Sequence, residues 1–324
     1  MSRAARLTTT IVALVALGGA VVALLVWLAG RGPSPLAREE CVARVDGRSV
    51  TLTPEQAGHA ATIAAVAEIR GLPARAVTIA LATAYQESDL YNVTYGDRDS
   101  LGLFQQRPSQ GWGTAEQVQD PLYATGAFYD ALVKIADYRE LDITVAAQQV
   151  QRSAYPDAYA DHEPDARVLA SALTGNSEAA FSCTFHPDSY QVQAEESDGL
   201  TARARAVRDE LTGIFGDLDI GGYEPGGVDS GHVEGSAHYD GRALDVMFLP
   251  YDDPEVNRSG WALAHWVVAN ADRLGVATVI YDDRIWTTRR SDDGWREYIH
   301  PSGDTADPTL RHLDHVHVDV AEGA

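Results

Sequence analysis

Apolar and polar positions divide the chain into stretches of different texture. Ile11 to Ala29 is an uncharged apolar run, and as a helix it would span roughly 28 Å, enough to cross a bilayer once. "RGPSPLAREE" follows as a Pro- and Gly-containing stalk. Helical periodicity then dominates. "TPEQAGHAATIAAVAEIRG" opens on Thr53-x-x-Gln56, a capping-box pattern, and closes at Gly71. "LPARAVTIALATAYQESD" carries Pro73 in its first turn, and "YATGAFYDALVKIADYREL", "ITVAAQQVQRSA" and "PDARVLASALTG" are again helix-like. Residues 45–183 thus read as nearly all α. "TFHPDSYQVQAEESDG" is polar and aperiodic, which predicts a linker over 184–199. Beyond residue 200, "TARARAVRDELTGIFG" and "SGWALAHWVVANADRLG" predict helices, while "RALDVMFLP", "ATVIYDD", "RIWTTRR" and "HVHVDV" predict strands, an α+β mixture.

A length of 324 residues predicts more than one domain, and 45% hydrophobic residues suffice for a sizeable core. The formal net charge of −22, with no basic patch, argues against nucleic acid as a partner. Arg3 and Arg6 precede the apolar run and Arg31 follows it. The positive-inside tendency then predicts a single-pass plasma-membrane protein with cell-wall-facing domains, the alternative being secretion after signal cleavage. On that topology the two cysteines, Cys41 and Cys183, are expected to form a disulfide.

Glu87 lies near the end of its predicted helix, on the face shared by Ala76, Ala80, Thr83 and Ala84. Small apolar neighbours and the negative end of the helix dipole both favour the neutral acid. A protonated carboxyl near neutral pH is what glycosidic cleavage needs from its general acid. "AYQESDL" followed by "DSLGLFQQRPSQGWGT" resembles the soluble lytic transglycosylase and goose-type lysozyme family, over residues 55–175. The resemblance implies a lysozyme-like fold with Glu87 as general acid/base and Ser88, Gln105 and Gln106 as substrate-positioning candidates. The family's Ala-Tyr-Asn-x-Gly motif is replaced by "AAQQVQRSAYPDAYA", which leaves Gln148, Gln151 and Tyr159 as candidate substrate contacts. Asp97 and Asp99 are the nearest candidates for a second carboxylate, as a hydrolytic muramidase would use, or else they order a turn.

In "RALDVMFLP", Asp245 sits in an apolar strand, where a carboxylate needs a strong partner such as a divalent metal. His238 precedes it across a Gly-containing turn, and His315 and His317 alternate so that both emerge on one strand face. Histidines and an aspartate with an open position compose a catalytic zinc site. "SAHYDGRALD" and "HVH" resemble the motifs of zinc peptidases of the hedgehog/DD-peptidase fold, over residues 205–320. The resemblance implies Zn2+ held by His238, Asp245 and His317, with His315 as the catalytic group beside it. "LRHLDHVH" contains no glutamate base, which is similar to the penicillin-insensitive endopeptidase branch. His312 stands in that segment, and strand alternation predicts that Asp314 turns away from His315 and His317. Trp286, Arg289, Arg290 and Trp295 either line a cleft or pack on the sheet. His59, His162, His186, His232, His265 and His300 have no partner by spacing.

The expected fold class is multidomain: an N-terminal membrane helix, an all-α lysozyme-like domain, then an α+β hedgehog/DD-peptidase-like domain. The segments are a cytoplasmic tip and anchor (1–31), a stalk (32–44), the glycan-cleaving domain (45–183), a linker (184–199) and the zinc domain (200–324). The expected function is that of a bifunctional peptidoglycan hydrolase acting on glycan strands and stem peptides. Alternatives are a transglycosylase with a non-catalytic peptidoglycan-binding C-terminal domain, or a wall-gripping structural component of a secretion or division assembly.

Overall fold

The computed structural model describes residues 38–323 apart from 154, 156, 187, 188 and 304. The chain enters as a β-hairpin, β1 (Glu40–Val45) and β2 (Arg48–Leu52). Asp46 and Gly47 form its turn with φ of 50° and 77°. Positive φ at both central residues matches a two-residue turn whose twist suits antiparallel strands. Helices α1 (Pro54–Ile69) and α2 (Ala74–Ser88) follow, then α3 (Ala115–Val118), α4 (Pro121–Leu132), α5 (Ile143–Gln151) and α6 (Glu163–Leu173). Strand β3 (Phe181–Thr184) returns to pair with β1, setting Cys183 opposite Cys41, and the two are disulfide-bonded.

The second half comprises α7 (Ala202–Phe215), β4 (Ile220–Gly221), β5 (Ala243–Met247), α8 (Pro254–Ala269), α9 (Ala271–Leu274), β6 (Val276–Tyr281), β7 (Arg284–Thr287), β8 (Arg296–Glu297) and β9 (His315–Val320). Its six strands run in the order β4-β5-β9-β6-β7-β8, each neighbouring pair antiparallel. Strands β5 and β9, which carry the expected metal ligands, are therefore adjacent and interior to the sheet.

Two features of the expected fold class are corrected. The fold is mixed α/β throughout: the first half contains the three-stranded sheet β2-β1-β3, so it is not all-α, and the expected stalk already belongs to β1 from residue 40. The Asp-Gly turn between alternating residues is a strong hairpin signal, and helical periodicity downstream masked it. The expected membrane anchor over residues 11–29 lies outside the described residues. Among the described residues no helix is long and apolar enough to cross a membrane. The longest helices among the described residues, α1 and α8, have 16 residues each, short of the roughly 20 that a span requires. The single-pass location and the membrane as a partner are accordingly not retained.

The two halves share one buried core. Alanines 57, 60, 61, 64, 65 and 67 make α1 small on several faces, so that it packs between α2, α4, α7 and α8. Polar bonds cross the seam as well: Arg258 on α8 grips both carboxylate oxygens of Glu68 at 2.8 Å, and the Trp286 and Trp295 indoles donate to the Cys183 and Phe181 carbonyls. Gly175 sits where a Cβ would lie 1.9 Å from the Arg258 carbonyl oxygen. The described residues of 185–199 lack regular structure but pack on the second half. The Tyr190 hydroxyl donates to the Asp272 carbonyl, and an added Cβ on Gly241 would strike Glu195.

Candidate catalytic carboxyl and metal centre

Helix α2 ends at Asp89, whose left-handed φ of 52° stops the helix one turn beyond the buried Ala84. Glu87 in that last turn is half-buried, with the Tyr159 hydroxyl 2.8 Å from Oε1. Burial pushes its carboxyl pKa up, and hydrogen bonds from Tyr159 and Gln151 only partly oppose the shift. Burial and the neighbouring Glu87 charge push the Tyr159 phenol up in turn, so it remains a donor.

Of the other predicted contacts, Gln151 donates to the Phe104 carbonyl at 2.7 Å and also reaches Glu87. Gln148 instead donates to the Ser153 carbonyl. The Ser88 hydroxyl caps the Ala84 and Leu103 carbonyls, and buried Gln106 donates to the Ala124 carbonyl. Gln105 has a φ of 46° and folds over its own loop, donating to the Tyr95 and Gly102 carbonyls. Thus Glu87, Gln151 and Tyr159 converge, while Ser88, Gln105 and Gln106 bind backbone carbonyls of the surrounding helices and loop. Asp99 accepts from Arg107 and the Ser109 amide, a turn-ordering role.

In the second half, β5 and β9 place Asp245 directly opposite His317. His238 comes from a 3-10 turn, Ala237–Asp240, started by Ser236 and stopped by left-handed Gly241. Its Nδ1 donates to the Gly222 carbonyl at 2.7 Å, which leaves Nε2 as the acceptor facing inward. Gly222 must be glycine: its φ is 83°, and a Cβ there would lie 2.4 Å from the His238 ring. His238 Nε2, His317 Nδ1 and Asp245 Oδ1 form a triangle with edges of 3.2, 3.0 and 3.3 Å. His315 Nε2 stands 3.7 Å from the same Asp245 oxygen.

Although burial opposes its charge, the hydrogen bond from His317 and the close imidazoles of His238 and His317 hold the Asp245 carboxyl far below the usual range. His317 also resists its own desolvation, and Asp245 and Asp319 push it up to about 9.

Two residues depart from the expectation. His232, given no role by spacing, stacks on His238 with ring centroids 3.9 Å apart, and the Tyr239 hydroxyl bonds both its amide and its carbonyl. His232, His238 and Asp245 offer ligand atoms within 4.8 Å of one another and can hold a metal ion. The only local signal was a histidine six residues before His238 in a Gly-rich loop. Asp314, expected to turn away, accepts from His315 Nδ1 at 2.7 Å while the Thr309 hydroxyl donates to its other oxygen at 2.6 Å. Alternation failed because β9 begins at His315, so Asp314 is not yet on the strand. His312 packs its ring 4.6 Å from that of His315, and burial together with neighbouring His317 and His315 keeps it neutral.

Residues 196–309 match the family model described as VldE, C-terminal domain. The match takes in His232, His238 and Asp245 and stops short of His312, His315 and His317. No curated protein matches the chain. Trp286 is fully buried and Trp295 half-buried in the seam, whereas Arg289 and Arg290 are exposed.

Proposed function

We propose that the chain is a two-centre peptidoglycan-degrading enzyme, with a zinc peptidase centre at His238, Asp245 and His317 and a glycan-cleaving centre at Glu87. The observation that carries the reading is the 3.0–3.3 Å triangle of potential ligand atoms. Ligands about 2.0–2.2 Å from a tetrahedral ion stand about 3.3–3.6 Å apart, so a small widening of the triangle would seat Zn2+ in this donor set. His232 is placed to complete or exchange a ligand position.

Zinc supplies Lewis acidity at such a centre, polarising a peptide carbonyl and acidifying water. The protein's own residues do the rest. The Gly222 carbonyl fixes the His238 tautomer. Asp314 accepts a hydrogen bond from the Nδ1–H of His315, so Nε2 presents its lone pair to the centre and can accept a proton from attacking water and pass it to the leaving amine.

At the other centre burial raises the Glu87 pKa, which favours the acid form that donates a proton to the glycosidic oxygen, with Tyr159 keeping its carboxyl in place. The groups that meet Glu87 among the described residues, Tyr159 and Gln151, are neutral. A single carboxyl favours lytic transglycosylation, in which the sugar's own hydroxyl closes the ring, over a two-carboxylate hydrolysis.

Mass spectrometry of murein digested by the full chain tests both centres. Glu87→Gln is expected to lower anhydro-muropeptide release by about 10²–10⁴-fold with peptide cleavage intact. His317→Ala or chelation is expected to abolish new peptide termini with glycan cleavage intact. A wild-type chain that binds murein and releases neither product refutes the enzymatic reading and leaves a wall-gripping role.

A further inference from the structure

A trench that runs from the second half onto the seam between the halves is used by neither centre. It consists of two cavities, about 930 Å3 and 600 Å3, that share Asp283 and Arg284 in their walls. The larger begins beside the metal centre: Tyr298 lines it, and the Tyr298 ring lies 4.8 Å from that of His312, which packs against His315. The smaller continues past the start of β7 to β1, where Arg44 forms part of its wall.

The charges along this trench are uneven. Asp283 is occupied by Arg311, Asp293 by Arg290, and an Asp282 oxygen by the Trp261 indole. Arg44 and Arg284 are exposed, and among the described residues neither has a carboxylate within ion-pair distance. Elsewhere arginines such as Arg205, Arg258 and Arg273 are ion-paired, as a net charge of −22 makes easy. Glu297 faces Arg284 across the β7–β8 register without closing an ion pair, so the two guanidiniums keep fork-shaped donors that match carboxylates. Glu178 and Glu297, on the same walls, offer partners for an ammonium.

We infer that this trench is the binding site for a peptide bearing free carboxylates, held by Arg284 and Arg44 so that its chain runs from the His315 side of the metal centre toward β1. The inference rests on the peptidase reading for its substrate but not for its binding chemistry. It assigns the helical half a share in peptide selection, because Arg44 belongs to β1.

The test compares two labelled synthetic stem peptides, one with free carboxylates and one fully amidated, binding to the full chain and to an Arg44→Gln/Arg284→Gln variant. Both side chains are exposed, and unchanged circular dichroism and Tm will verify the variant's fold. Wild type is expected to prefer the carboxylate peptide by roughly tenfold, about two- to fivefold per arginine, with the preference shrinking as salt is added. The double variant is expected to lose it. Equal affinity of the two peptides for wild type, or a preference that survives in the double variant, overturns the site. Cleavage measured in parallel separates the two ideas. A charge-dependent preference without cleavage sinks the peptidase reading and keeps the trench, whereas cleavage with KM unchanged in the double variant does the reverse.

Discussion

Acid should weaken the seam between the two halves through one histidine. His265 on α8 is fully buried, and its Nδ1 donates to the Ala172 carbonyl at 2.8 Å, near the end of α6. Its Nε2 has no partner among the described residues, so a proton added there would bring an unsolvated charge. Burial therefore lowers the pKa from 6.5 to about 4, the carbonyl only partly opposing it. The folded value is depressed, so the unfolded chain takes up the proton first. Stability from this residue is complete above about pH 6.5, falls between 6.5 and about 4, and is flat below. The gap is equivalent to about 3 kcal/mol, a large fraction of the 5–15 kcal/mol typical of a folded chain.

The control is His265→Gln, whose amide can still donate to the Ala172 carbonyl but does not titrate. Urea unfolding followed by tryptophan fluorescence between about pH 7 and pH 4 is the assay, since the fully buried Trp261 and Trp266 lie on the same helix. Other titrating groups act in both proteins, so the difference between the two curves isolates His265. Wild type should lose about 3 kcal/mol more than the variant over that interval. Parallel curves would show that His265 is solvated or protonated at its site and would refute the argument.

Tyr159→Phe removes a hydrogen bond that favours the charged form of Glu87. The Glu87 pKa should rise further, and the alkaline limb of glycan cleavage should move to higher pH in a pH–rate profile; a limb that stays put or moves down refutes the contact. Reducing Cys41–Cys183 opens a loop with a sequence separation of 142. The expected loss is about 4–5 kcal/mol in urea unfolding, and a loss below about 1 kcal/mol would mean that the β1–β3 pairing closes the loop unaided.

Several features were legible because their causes are local. Thr53 and Gln56 form the reciprocal cap that their spacing suggested, since both bonds fall within one helical turn. Glu87 follows Ala76, Ala80 and Ala84 onto a buried face because helical repeat alone puts them together. His315 and His317 are both buried on β9 for the corresponding reason in a strand. The Asp46-Gly47 hairpin was equally local and was passed over.

What the sequence by itself determined, then, are the helices, the strand faces, the cysteine pair and the residue types capable of acid and metal chemistry. Tertiary structure alone decided which of them meet. Asp245 faces His317 only through the β5–β9 register, across 72 residues of chain. Tyr159 reaches Glu87 across a similar distance in sequence, and His232 joins His238 through a loop whose course no periodicity encodes. Arg44 and Arg284 share a trench because both halves were folded onto one core. Periodicity specifies the face on which a side chain emerges, and long-range strand pairing and core packing specify what stands opposite it.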